Sequence, residues 1–134
     1  MPELRWLREP RNIIFETAIL TPAPAADLTF VAAQALLDTG STISGVTRAI
    51  ASRLNLPSLG RRPLGSARGE AQVERFLFRI GFQVESAFLP FVFEAVDGFE
   101  LREGFAFNAI LGMDILGQCD FSMERTGRCQ LRFG

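Results

Sequence analysis

The chain is 134 residues long with 14 basic and 15 acidic side chains, a formal charge of −1. That length suits one domain whose core removes roughly two-thirds of the unfolded surface from water, and 48% apolar against 22% charged residues excludes a disordered chain and a general binder of nucleic acid. His is absent, excluding Ser-His-Asp catalysis, Cys-His catalysis and imidazole-ligated zinc within the chain.

Every basic residue is Arg, and Tyr is absent. This removes a phosphate-loop lysine and Schiff-base chemistry, so an enzyme built from this chain has carboxylates, or the water of a bound metal, as its acid and base. No apolar run approaches the ~20 residues needed to cross a bilayer. Met1 to Phe15 interleaves Glu3, Arg5, Arg8, Glu9 and Arg11 with its apolar residues, unlike a secretory signal. Cys119 and Cys129 form neither a disulfide framework nor a metal motif. A cytoplasmic protein with no cofactor, no metal, no nucleic acid and no membrane partner is expected.

In chain order, residues 1–11 are read as an N-terminal extension and residues 12–134 as a single domain. Asn12 to Leu20 is rich in β-branched and aromatic residues and predicts a strand. Thr21 to Asp27, with two prolines, is a loop. A second strand is expected over Leu28 to Leu37. Val46, Ile50 and Leu54 recur at i, i+4 and i+8, which predicts a helix stopped by Pro57.

Ser58 to Gly69, with three glycines and a proline, is loop-like. Gln72 to Phe82 alternates, Phe76, Phe78, Ile80 and Phe82 on one face and Arg75 and Arg79 on the other. Gly65 to Gly69 then forms the tip of a hairpin of which this strand is the return arm. Asp97-Gly98 is read as a turn between two apolar stretches, Ala87 to Val96 and Phe99 to Phe107. Ala109 to Gly112 is a further strand. Met113 to Leu116 makes one helical turn, closed by Gly117 in the left-handed conformation. Cys119 to Phe133 predicts a hairpin about Arg125-Thr126-Gly127, with the cysteines on opposite faces and unbridged. The sum is an all-β chain with one good helix.

The segment that carries chemistry is Leu36-Leu37-Asp38-Thr39-Gly40-Ser41. A carboxylate at the end of a buried strand is costly unless it is hydrogen-bonded or paired. Gly40 lets the backbone turn tightly and brings its N–H toward Asp38. Thr39 and Ser41 add hydroxyls able to lock the turn and donate to the carboxylate. The plainer reading is a turn in which Asp38 and Ser41 only cap the backbone.

The order of motifs resembles the retropepsin-like aspartic proteases, single-domain relatives of pepsin that include the retroviral proteases. The resemblance rests on Ala35-Leu-Leu-Asp-Thr-Gly-Ser41, the helix ending Leu54-Asn-Leu-Pro57, a Gly-rich flap candidate at Gly65-Ser66-Ala67-Arg68-Gly69, and Ala109-Ile-Leu-Gly-Met-Asp-Ile-Leu116. It spans residues 12 to 133. It implies a closed, flattened β-barrel of the acid-protease type with one or two short helices. It implies Asp38 as the catalytic residue, supported by Thr39, Gly40 and Ser41, with Ile110, Leu111 and Gly112 packing behind the loop.

The family's mechanism needs two aspartates across one water, sharing a proton because both cannot be charged so close together. This chain has one Asp-Thr-Gly; Asp97 lacks the Thr, Asp114 sits in the short helix, and Asp27 and Asp120 have no such turn. The resemblance therefore implies a homodimer in which the second aspartate is Asp38 of the other copy, with Thr39 bonding across the two-fold axis. The substrate would be a polypeptide, covered by the Gly65–Gly69 flap. A hydroxyl bond from Ser41 to Asp38 would favour the charged form and move the working range toward acid. A non-cleaving, peptide-binding dimer of the same fold is the alternative. A chance Asp-Thr-Gly turn in an unrelated β-barrel is a third reading and predicts a monomer.

Overall fold

The computed structural model describes residues 1–66, 69–85 and 87–134. They form β1 (Glu3–Leu7), β2 (Ile14–Leu20), β3 (Phe30–Leu37), β4 (Gly45–Thr47), α1 (Arg48–Leu54), β5 (Ser58–Ser66) and β6 (Gly69–Phe82). Beyond these come β7 (Phe91–Val92), β8 (Val96–Leu101), β9 (Ala109–Leu111), α2 (Met113–Leu116), β10 (Asp120–Met123) and β11 (Arg128–Arg132). The chain is mostly β.

The larger sheet follows the path β2-β3-β9-β4-β8-β6-β5, with β7 beside β6. β6 also pairs with β2 over Ala18↔Gly81 to Leu20↔Arg79, bringing the run back toward its start. A smaller antiparallel sheet, β1-β11-β10, joins the two ends of the chain. The first eleven residues, expected as an extension, thus contribute β1, paired with β11 from Glu3↔Arg132 to Leu7↔Arg128.

Phenylalanines on alternating strands build the core. Phe78, Phe82 and Phe133 are fully buried, each such side chain contributing about 1.5–3 kcal/mol of transfer free energy. Phe82 meets Phe133 edge to face at 4.9 Å and Phe93 at 5.3 Å. Trp6 stacks on Phe15 at 4.4 Å, seating the smaller sheet on the larger.

Four local expectations are corrected. Val46 does not begin the helix: it lies in β4, opposite Glu100 on one side and Ala109 on the other. α1 starts only after Thr47, whose hydroxyl accepts the Ile50 N–H, and it ends at Asn55 in the left-handed conformation (φ 50°), ahead of Pro57. Ser58 to Ser66 is a strand rather than a loop. It pairs with β6 from Ser58↔Phe76 to Ser66↔Gly69, with a bulge at Gly60 (φ +87°). Pro63 is tolerated there because β5 ends the sheet path.

Asp97-Gly98 is no turn but the middle of β8, opposite Leu77 and Phe76. Gly98 is required for space, since a Cβ would stand 2.3 Å from the Phe78 ring and 2.7 Å from the Ser44 carbonyl oxygen. Gly117 is right-handed (φ −64°), its N–H donating to the Met113 carbonyl at 2.9 Å.

Arg79 is buried although it alternates with the core phenylalanines along β6. It is 6% exposed, and its guanidinium donates to the carbonyls of Thr21, Pro24, Ala25 and Asp27 in the β2–β3 connection. Cys119 and Cys129 are both free thiols. Among the described residues no helix is long and apolar enough to cross a membrane.

Candidate active site

β3 alternates buried and exposed positions up to Leu37, so that Asp38 emerges at the edge of the core, half-buried. The next strand, β4, lies on the far side of β9: β3 runs parallel to β9 over Ala35↔Ala109 to Leu37↔Leu111, and β4 antiparallel to it over Gly45↔Ile110 and Val46↔Ala109. Residues 38–44 therefore cross over the end of β9 to connect its two neighbours. A loop in this place has its backbone groups satisfied by the strand beneath. The Asp38 N–H donates to the Leu111 carbonyl (3.0 Å), and the Met113 and Asp114 N–H groups donate to the carbonyls of Ser41 (2.8 Å) and Thr42 (3.2 Å).

Within the loop, the Gly40 N–H donates to Asp38 Oδ1 at 2.9 Å and the Ser41 N–H to the Asp38 carbonyl at 3.2 Å. This fixes one carboxylate oxygen, while Oδ2 has no partner among the described residues. Thr39 and Gly40 are exposed. The Thr39 hydroxyl has no partner among the described residues either. Ser41 is a correction. Its hydroxyl donates to the Ile43 carbonyl at 2.6 Å and not to Asp38, so it closes the loop on itself. The acid-leaning working range expected from a Ser41–Asp38 bond loses its basis.

Ile110 and Leu111 belong to β9, and Gly112 follows it directly. Leu111 is 1% exposed and supplies the carbonyl for Asp38. Ile110 pairs with Leu36 and Gly45 across the two flanking strands. Gly112 lies under the loop with no room for a side chain. Asn108 prolongs the β3–β9 pairing: its N–H and Oδ1 meet the carbonyl and N–H of Gln34, and its own carbonyl takes the Thr47 N–H.

The flap candidate sits elsewhere, at the outer end of the β5–β6 ladder. Among the described residues, pairing of β6 with β8 begins at Arg75↔Phe99, so residues 70–74 lie beyond β8 and pair with β5. Gly65 pairs with Glu70, Ser66 with Gly69, and Gly69 takes φ +109°. Ala67 and Arg68 lie outside the described residues. At the root of this ribbon Glu74 accepts the Ser58 hydroxyl (2.8 Å) and pairs with Arg48 of α1, which also pairs with Glu100. The Ser58 hydroxyl, then the Arg48 guanidinium, hold the Glu74 carboxyl below the usual carboxylate range.

Two residues of the loop's support escaped the sequence reading. Ser44, fully buried, donates its N–H and hydroxyl to the Asp114 carboxylate. The signals for Asp114 were its place in the Ala109–Leu116 motif and in the first turn of a helix, and Ser44 offered none. No group of His, Cys, Asp and Glu among the described residues is arranged to hold a metal ion.

A strand delivering Asp-Thr-Gly into a loop that crosses a glycine-backed strand gives the chain a fold similar to that of the retropepsin-like aspartic proteases. The crystal structure of one such protein, from Rickettsia conorii, superposes with a TM-score of 0.64 over 98% of this chain and 90% of that one, at 17% sequence identity. The likeness is one of fold. No family model matches the chain, and neither does any curated protein.

Proposed function

We propose that the chain is an aspartic endopeptidase that works as a homodimer, the Asp38 carboxylates of two copies sharing one water. The observation that carries this reading is the placement of Asp38: β3 delivers it, half-buried, into the loop that crosses β9, its N–H held by the Leu111 carbonyl and its Oδ1 by the Gly40 N–H, while Oδ2 has no partner among the described residues. Thr39, exposed and with no partner for its hydroxyl among the described residues, suits the bond across the two-fold axis. The β5–β6 ribbon is the flap by this reading, and the β2–β6 pairing closes the flattened barrel. Residues 12–134 form the protease domain, with residues 1–11 added to it through β1.

In the reaction, the ionised Asp38 takes a proton from water as the water oxygen attacks the scissile carbonyl carbon. The protonated Asp38 of the other copy gives its proton to the carbonyl oxygen, and a tetrahedral diol results. Return of a proton to the amide nitrogen breaks the C–N bond and releases acid and amine.

The test is cleavage of a diverse peptide library from about pH 3 to pH 8, read by mass spectrometry, beside Asp38→Asn. The wild type is expected to cut and the variant to lose on the order of 10²–10⁴-fold in rate, with unchanged sedimentation as a dimer. A dimeric wild type that binds peptides and cuts none points to the peptide-binding alternative. A stable monomer, or cuts that survive in the variant, overturns the proposal.

A further inference from the structure

We infer that Asp114 is a positioning residue for the Asp38 loop and that it acts through Ser44; the catalytic part of this inference rests on the protease reading above. Asp114 Oδ2 accepts the Ser44 N–H at 2.9 Å. Its Oδ1 accepts the Ser44 hydroxyl at 2.7 Å and the Ile115 N–H at 2.9 Å. One carboxylate thus joins the far arm of the loop to the helix that follows β9, with three donors on two oxygens.

Ser44 passes the restraint on. It is fully buried, and its hydroxyl oxygen accepts the Gly112 N–H at 3.0 Å while donating to Asp114. Its carbonyl accepts the Phe99 N–H at 3.0 Å, which ties the same residue to β8. Gly112 follows directly on Leu111, whose carbonyl holds the Asp38 N–H. Both arms of the loop are therefore pinned to one short segment, residues 111–114: Asp38 at Leu111, and Ser44 at Gly112 and Asp114. The chain has chosen an ionisable acceptor for a site that asks only for acceptors. A charged acceptor makes shorter and stronger bonds than a neutral one, which matters where a displacement of about 1 Å costs up to 10²-fold in rate.

The experiment compares wild type with Asp114→Asn, Asp114→Ala and Ser44→Ala in three readouts: the amide resonances of Asp38 and Gly40 by NMR, thermal unfolding, and kcat and KM on a peptide the wild type cuts. Asp114→Ala is expected to shift both amide resonances while those of β2 and β6 stay in place. Its kcat is expected to fall by about ten- to hundredfold at nearly constant KM. Asp114→Asn, which keeps an oxygen acceptor, is expected to recover part of the loss. Unmoved Asp38 and Gly40 amides with unchanged kcat in folded Asp114→Ala overturn the proposal and reduce Asp114 to a helix cap. If Asp114→Ala does not fold, Ser44→Ala, which removes only the hydroxyl, decides in the same readouts. If the wild type cuts nothing, the protease reading falls, and the two amide resonances still decide whether Asp114 sets the loop.

Discussion

Gly112 lies directly beneath the carbonyl of Ile43: a Cβ built on it would stand 2.5 Å from that oxygen and 2.9 Å from the carbonyl oxygen of Ser41. Its backbone is extended (φ −97°), so the glycine is required for space and not for its conformational range. The Ser41 oxygen is itself held by the Met113 N–H, leaving the crossing loop little freedom to lift. Gly112→Ala is expected to cost about 3 kcal/mol, at the upper end of overpacking penalties. The check is the urea midpoint at constant m-value; a loss below about 1 kcal/mol shows instead that the loop yields.

Arg79 fastens the β2–β3 connection from below. Its shortest bonds, both 2.6 Å, run to the carbonyls of Thr21 and Asp27 at either end of that connection. Arg79→Met keeps the apolar stem and removes the donors. With hydrogen bonds to a charged group contributing about 1.5–3 kcal/mol each, and with water able to reach some of the freed carbonyls, a net loss of about 3 kcal/mol is expected. Hydrogen exchange is expected to accelerate in residues 21–29 first. Uniform acceleration over the whole chain contradicts this local role.

Burial, and after it the negative charge of Asp120, pushes the Cys119 thiol up to about 11 from its ordinary 9.0. Burial also raises Cys129. At pH 8 the native Cys119 thiol is expected to react with a disulfide reagent about a hundredfold more slowly than in the unfolded chain from this shift alone. The folded value lies above the unfolded one, so its stabilising effect is full below pH 9 and falls away as pH rises toward 11. Mass mapping of the labelled cysteines checks it, and rapid native labelling of Cys119 at pH 8 refutes it.

The parts of the fold legible in the sequence are those whose signal is local. The alternation through Phe76, Phe78, Ile80 and Phe82 appears in the structure as four buried side chains on one strand, and Leu36-Leu37 runs into Asp38 as its apolar pattern implies. What failed depends on partners far along the chain. Val46 completes a helical stripe on paper, yet Glu100 and Ala109 claim it for a strand. Asp97-Gly98 has turn composition, but Phe78 needs the space a glycine leaves. Gly60, Pro63 and Gly65 look like a loop until the long β6 offers them a ladder. At the site, Asp38 and Gly40 behave as their types dictate, whereas Ser41 finds a nearer acceptor in Ile43. Ser44 gained its role only from Asp114, 70 residues away.

That separation sets a clock on biosynthesis. The carboxylate of Asp38 leaves the ribosome well before the strand it leans on, β9, and the helix that grips Ser44. Contacts so distant in sequence close late. A nascent chain therefore carries its acidic turn unset until β9 and α2 have followed it out.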